Sequence, residues 1–347
     1  MAGNLELELH SLIENQRTLP PIWSGSLNGL ADPRRILLVT THTAELQFNA
    51  VSSGFNIVDR LHVADETQKT VDTMLQYPSD TIEIVFAVGG GRAIDIAKLL
   101  ARRWDKELIA IPTIISTDAF LVDSTGVRIE GCVKYVQSKK PDLVLLDMDL
   151  LRQAPYAYHV SGCGDVLSIV TAVSDWKYAH DNGKLLSDEL YIKSVAQTSK
   201  AIVNYLFEHA ETISAKTPEG FIAILNALSM EVELCNCYGN SRPEEGGEHF
   251  FAYAIESRLP HAIHGELVGL GILITAYMQQ QPWQDMQNFM DRVGMNYRPK
   301  GISARIVTDT LKVMHDYVER HTLRYGIWNE YHYDEQNVQT FLNAIHI

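Results

Sequence analysis

The sequence predicts an α/β domain built on a parallel sheet, followed by an all-α domain. Three observations carry this expectation. The first half alternates short apolar, β-type runs with helical patterns. One of those runs, Ile84-Val85-Phe86-Ala87-Val88, stops in Gly89-Gly90-Gly91 and passes at once into a helical pattern. From about Ala154-Pro155 onward almost everything has helical period. Strands alternating with helices imply a parallel sheet wrapped by helices. A chain of 347 residues is too long for one ordinary core, so two domains, 1–155 and 156–347, are expected.

The elements follow in order. Ile36-Leu37-Leu38-Val39-Thr40 reads as a buried strand, with a helical segment from about Ala44. Ile57–Val63 reads as a second strand, and Thr67–Gln76 as a helix with Val71, Met74 and Leu75 on one face. After the glycines a helix runs to about Arg103. Leu108–Pro112 and Leu143–Asp147 are further apolar strands. In the second half the spacing predicts helices over Val166–Tyr178, Leu190–His209, Phe221–Cys237, His249–Arg258, Gly265–Gln280 and Ala304–Arg320.

Composition narrows the function classes. Hydrophobic residues make up 46%, enough for large cores, and 29 Lys+Arg against 43 Asp+Glu give a net charge of −14. Such a surface argues against nucleic acid or an anionic membrane as the main partner. No apolar run reads as long enough for a membrane span. The acidic start, Met1–Glu8, carries no signal-peptide core, and four unevenly placed cysteines read as reduced thiols, so a cytoplasmic protein is expected. Cys235-Asn236-Cys237 has no second cysteine pair and makes a poor zinc site.

The glycine turn is the first candidate site. A strand end, a turn without side chains and a helix N-terminus together make an anion site suited to a pyrophosphate. The spacing departs from GxGxxG because Ile94 stands where a third glycine would fall. Pro112-Thr113-Ile114-Ile115-Ser116-Thr117-Asp118 lies just past another strand end, with hydroxyls and a carboxylate at the mouth of the sheet. In the helical half, Asp165 sits among glycines at the start of an apolar helix. His249 follows Gly246-Gly247-Glu248, and His264 precedes Gly265. One inward acid and two glycine-flanked histidines are a donor set for a metal with an open position, which can polarise a carbonyl or an alcohol.

In this order GGGRAID, PTIISTDAF, SGCGDVLS, GGEH and HGELVG resemble the sn-glycerol-1-phosphate dehydrogenase family. That family belongs with glycerol dehydrogenases, iron-type alcohol dehydrogenases and 3-dehydroquinate synthases. The resemblance runs from about residue 36 to the last helices. It implies a dehydroquinate synthase-like fold, a Rossmann-like domain followed by a helical one, with the site in the cleft between them. It also implies cofactor contacts at Gly89, Gly90, Gly91, Arg92, Ala93, Ile94, Asp95, Thr113, Ser116 and Thr117. Asp118 is implied as a substrate contact. Asp165, His249 and His264 are implied as metal ligands, with Asp165 also near substrate. The cofactors implied are NAD or NADP and one divalent metal: zinc first, with nickel, manganese or iron as alternatives. The partners expected are a small phosphorylated substrate and further copies of the chain in a homo-oligomer.

The sequence departs from the family pattern at three places. Tyr253 stands where relatives carry a histidine one helical turn after the first, and Tyr is a poor proton shuttle at neutral pH. It is retained as a catalytic candidate that orients substrate, with water or His261 as a replacement relay. Ala119 and Val122 replace an expected glycine and serine. Val122-Asp123-Ser124-Thr125-Gly126 is similar to a segment of dehydroquinate synthases, with Arg128 and Lys134 as loose phosphate-binding candidates. The leading expectation is therefore a metal-dependent, NAD(P)-linked oxidoreductase acting on glycerone phosphate or a related small keto or polyol substrate. A sugar-phosphate cyclase or lyase that uses NAD transiently is the alternative, and a nucleotide-binding homologue without activity is the third reading.

Overall fold

The computed structural model describes residues 18–78, 80–259 and 262–347. Six strands, all parallel, form one sheet: β1 (Ile22–Ser24), β2 (Asp32–Thr40), β3 (Phe55–His62), β4 (Ile84–Gly89), β5 (Glu107–Pro112) and β8 (Leu143–Leu146). Their spatial order is β1-β8-β5-β4-β2-β3. Every residue of β4 is buried, as are the last five of β2 and of β5. Strands covered on both faces read as unbroken apolar runs, which is why the sequence exposed them. The two edge strands differ: β1 has three exposed residues, and β3 is largely half-buried or exposed. A short or polar edge resists pairing with another chain.

The chain leaves β2 outward to β3, returns to β4 on the other side of β2, and continues outward through β5. The direction of winding therefore changes between β2 and β4, and the crevice beyond their carboxyl ends is where such sheets bind ligands. Helices α1 (His42–Phe48), α2 (Gln68–Met74) and α3 (Gly91–Trp104) pack around this part of the sheet. Thr41 and Thr67 cap the first two with their side chains.

Between β5 and β8 lies a feature with no counterpart in the expected elements: an antiparallel hairpin, β6 (Ser124–Ile129) and β7 (Cys132–Gln137). Its two-residue turn, Glu130-Gly131, has φ of 52° and 79°. Positive φ at both positions is the turn that matches strand twist, normally signalled by Asn-Gly or Asp-Gly. The hairpin reaches across to the helical half. Arg128 pairs with Glu256 at 2.8 Å, Lys134 Nζ donates to the His321 carbonyl at 2.6 Å, and Tyr317 donates to the Gly131 carbonyl at 2.9 Å.

After β8 the described residues contain helices only. They are α4 (Met148–Leu151), α5 (Tyr156–Val160), α6 (Cys163–Leu167), α7 (Ile169–Asp181), α8 (Lys193–Glu208), α9 (Ala210–Ser214) and α10 (Pro218–Tyr238). These are followed by α11 (Gly247–Glu256), α12 (His264–Met278), α13 (Trp283–Val293), α14 (Ala304–Leu311), α15 (Met314–Arg320) and α16 (Glu335–Ala344), with a 3-10 turn at Ile327–Glu330. The expected helices 166–178 and 304–320 are each divided, at Ser168 and at Lys312-Val313. Helices α13 and α16 had not been anticipated.

Helix α12 is buried on every side, so it forms the centre of the bundle. A Cβ on Gly265 would stand 2.3 Å from the Ser161 carbonyl oxygen, and one on Gly271 would stand 2.3 Å from that of Glu248. These two glycines let α12 touch the backbones leading into α6 and along α11. One expectation needs correction: α10 is long and apolar enough to cross a membrane. Glu231 and Glu233 interrupt its apolar run, so the expected helix over Phe221–Cys237 did not read as a span. It packs against α8, α9 and α6, and a core helix passes the same test, so one such helix is weak evidence for a span.

Candidate active site

The strand β4 ends at Gly89, whose φ of +148° is one that side-chain-bearing residues rarely adopt. Gly90 then caps α3 without a side chain. The amides of Ala93 and Ile94 bond the Gly90 carbonyl at 3.1 and 3.2 Å, and both side chains point into the core. The helix amides left for a ligand are therefore the earlier ones, at Gly91 and Arg92. Arg92 is exposed and donates to Glu66 at 3.2 Å. Asp95 is occupied: it accepts from Lys98 Nζ at 2.9 Å and lies 3.4 Å from the Thr125 hydroxyl. Lys98 is fully buried and also donates to the carbonyls of Ala119 and Ser124. This pair ties α3 to the loop after β5 and to the hairpin.

That loop lies against the glycines. The Thr113 amide donates to the Gly89 carbonyl at 3.0 Å. A Cβ on Gly90 would meet Ile114 Cδ1 at 2.7 Å, and one on Gly91 would meet Thr117 Oγ1 at 2.9 Å. Ser116 is buried beside them. At the carboxyl ends of β2 and β3, both Glu45 carboxylate oxygens are taken, by Arg60 at 2.8 Å and His62 at 2.6 Å. Glu45 is thus not a free acceptor for a ribose.

The loop also meets the helical half. His159, on α5, is fully buried; its Nδ1 accepts from the Ile115 amide at 3.4 Å, and its Nε2–H donates to the Leu151 carbonyl at 3.0 Å. Burial pushes its pKa down to about 4, so it is neutral at pH 7. The backbone of Gly162 packs on the Ile115 carbonyl, where a Cβ would come within 2.2 Å. This seam carries α6, and with it Asp165, to the mouth of the sheet.

Here the three expected ligands converge. The Asp165 Oδ1 atom lies 3.9 Å from Nε2 of His249 and 3.9 Å from Nε2 of His264. One atom from each residue falls within 4.8 Å of the others. Asp165 Oδ1 is buried and has no hydrogen-bond partner. An unpaired buried carboxylate oxygen facing two imidazole nitrogens is a charge awaiting a cation. The residues fit a divalent metal. Glu248 orients the first histidine: its Oε1 accepts from His249 Nδ1 at 3.0 Å, and its Oε2 accepts from Thr171 at 2.6 Å. That bond leaves Nε2 facing the site, the outer-shell arrangement typical of metal-binding histidines.

The electrostatics agree with a cation site. Burial opposes charge on His249, but the hydrogen bond to Glu248 and the fields of Glu248, Glu245 and Asp165 outweigh it and push its pKa up to about 9. Burial and the His249 charge hold His264 well below its ordinary value. Burial, then the charge of Asp118, raises Asp165 well above the carboxylate range. Asp118 is itself pushed up to about 6, by burial partly offset by Lys98.

Tyr253 is buried on the same helix face as His249, with ring centroids 6.0 Å from His249 and 6.5 Å from His264. Its hydroxyl donates to Glu245 Oε1 at 2.7 Å and lies 3.1 Å from the Tyr135 hydroxyl of the hairpin. Arg128 and Lys134 are spent on Glu256 and the His321 carbonyl, so neither is free for a phosphate. His261 lies outside the described residues. Sequence reasoning missed Glu231, Glu244, Glu245, Glu248, Lys98, Tyr135 and His159. Only Glu248 carried a signal, as the acid beside a candidate ligand.

Comparison with known proteins places this chain in a class. Residues 30–155 match the family model for iron-containing alcohol dehydrogenases. Curated relatives named glycerol-1-phosphate dehydrogenase [NAD(P)+] include one from Aeropyrum pernix, 30% identical over 78% of this chain and 75% of its own. Another, from Thermococcus kodakarensis, is 30% identical over 79% of each. The chain belongs to the glycerol-1-phosphate dehydrogenase family. Among solved structures, glycerol dehydrogenase from Schizosaccharomyces pombe superposes with a TM-score of 0.65 at 18% identity, covering 94% of this chain and 89% of that one. A 2-epi-5-epi-valiolone synthase from Streptomyces hygroscopicus, solved with NAD+ and Zn2+ bound, gives 0.64 at 15% identity, covering 94% and 96%. These neighbours share the dehydroquinate synthase-like fold: a parallel sheet with helices, then a helical region.

Proposed function

We propose that the chain reduces glycerone phosphate, or a closely related small ketone, to the alcohol with NADH or NADPH, using one divalent metal. The observation that carries this is the meeting of Asp165, His249 and His264 at the mouth of a sheet whose glycine turn and hydroxyl-bearing loop suit a dinucleotide. Zinc is the proposed metal, and a homo-oligomer in the cytoplasm the proposed setting. The proposed domain division remains 1–155 and 156–347.

Held by Asp165, His249 and His264, the metal supplies Lewis-acid polarisation of the substrate oxygen. The chain's own residues do the rest. Gly91 and Arg92 offer backbone amides and the α3 dipole to the pyrophosphate. Gly89 and Gly90 keep that approach open, and Thr113, Ser116 and Thr117 line it. Asp118, within the field of His249, is the proposed substrate contact. Glu248 fixes the His249 ring. Tyr253 stays protonated, because burial and Glu245 raise its pKa well above the ordinary value. It therefore orients a substrate oxygen rather than cycling a proton.

The test is a panel of dihydroxyacetone phosphate, dihydroxyacetone and longer keto-sugar phosphates, each with NADH and NADPH, followed by absorbance. Dihydroxyacetone phosphate turning over fastest supports the reading. Substrate consumed with inorganic phosphate released and no net loss of NAD(P)H points instead to cyclase-type chemistry, the activity named for the valiolone synthase neighbour.

A further inference from the structure

We infer that Glu231, Cys235 and Glu244 form a second cation site, suited to a divalent ion of the zinc class and separate from the Asp165–His249–His264 group. Glu231 and Cys235 stand four residues apart on α10, so one helix face presents both. Glu244, in the segment between α10 and α11, closes the group. One donor atom from each residue lies within 4.8 Å of the others.

Glu231 is 1% exposed, and neither of its carboxylate oxygens has a hydrogen-bond partner. It faces the Glu244 carboxylate closely enough for the two to share one proton, and no other side-chain donor reaches either Glu231 oxygen. A shared proton satisfies one oxygen of such a pair and leaves the rest of the buried acceptors unmet. A cation satisfies both carboxylates at once, and the Cys235 thiolate completes a mixed oxygen–sulfur set that suits a borderline divalent metal.

Among the described residues the positive charges that reach this group, His249 and Arg324, are bonded to other carboxylates: His249 holds Glu248 at 3.0 Å. Arg324 is shared between Glu189 at 3.1 Å and Glu245 at 3.6 Å. Asp118 and Asp165 add further negative field at Glu231. Cys235 and Glu244 are half-buried, which leaves a route in from solvent. An ion here ties α10 to the segment leading into α11, the helix that carries His249.

The test loads chelator-treated full-length protein with cobalt(II), counts metal per chain by elemental analysis, and records the near-ultraviolet spectrum. Two cobalt ions per chain are expected in the wild type, with a thiolate-to-cobalt charge-transfer band. Glu231→Gln should fall to one ion and lose the band. Cys235→Ser should lose the band even where the count is retained. Asp165→Asn should keep the band while losing the other ion, so failure at one site is distinguishable from failure at the other. A wild type that shows no thiolate band overturns the inference, whatever its metal count. An extra ion without the band then belongs elsewhere, for instance at the His42–Glu45–His62 group. Cys235→Ser keeps the test decisive if Glu231→Gln fails to fold.

Discussion

The two walls of the candidate site are built in opposite ways. The wall on the sheet side is made of backbone: a glycine with φ of +148°, a helix N-terminus, and a loop whose amide bonds the strand end. The wall on the helical side is made of ionisable side chains drawn from distant positions, Asp165, His249 and His264. A backbone site is a local property and survives most changes in its neighbours. A side-chain site exists only when several helices pack in register, which here depends on Gly265 and Gly271 meeting foreign carbonyls. The first wall suits a cofactor shared by many enzymes, and the second suits chemistry particular to one.

The largest expected effect breaks the seam between the walls. His159 must be neutral to accept from Ile115 and donate to Leu151. Burial holds its folded pKa at about 4, below the ordinary imidazole value of 6.5. The unfolded chain therefore binds the extra proton between those values. The contribution is complete above pH 6.5 and is lost as pH falls toward 4, by about 3 kcal/mol. Denaturant unfolding at pH 7 and pH 5 should show about 2 kcal/mol of this loss, and His159→Gln should flatten the slope in that window. An unchanged slope would remove His159 from the account.

The next effect sharpens the side-chain wall. Glu248→Gln weakens the hold on His249 Nδ1, and metal affinity should fall about 10–100-fold with the circular dichroism spectrum intact. Competition with a chelator of known affinity measures it. On the backbone wall, Gly90→Val places a side chain against Ile114 and the pyrophosphate path. Dinucleotide affinity should drop by about tenfold or more, while metal content stays the same. Loss of both together would mean the walls are not independent. The smallest effect on activity falls on Tyr253→Phe, which removes a hydrogen bond to the ionised Glu245 carboxylate, worth about 1.5–3 kcal/mol of stability. The KM for ketone should rise several-fold with kcat nearly unchanged, since the phenol positions and does not transfer a proton.

The same contrast explains what the sequence disclosed. The strands β2, β4, β5 and β8 were legible because parallel strands buried on both faces are unbroken apolar runs. The glycine turn was legible because it is contiguous. The hairpin was not, since Glu130-Gly131 lacks the usual Asn or Asp. Asp165, His249 and His264 were visible only as glycine-flanked polar residues, and the family resemblance did the grouping. Glu231 could not be seen: a single acid in a long apolar helix carries no local mark of what it faces. Arg128 and Lys134 looked available and are not, because their partners, Glu256 and His321, lie more than a hundred residues away.

The central claim is that the trio on the helical wall holds a metal that acts on a ketone whose hydride comes from a dinucleotide on the sheet wall. The most direct measurement is NAD(P)H oxidation with dihydroxyacetone phosphate by zinc-loaded wild type, chelated wild type and Asp165→Asn, with bound metal counted in each. The account predicts steady, stoichiometric oxidation in the loaded wild type. It predicts a fall of about a thousand-fold or more in the other two, with dinucleotide binding retained. Equal rates in all three, or full metal and full activity in Asp165→Asn, would contradict it.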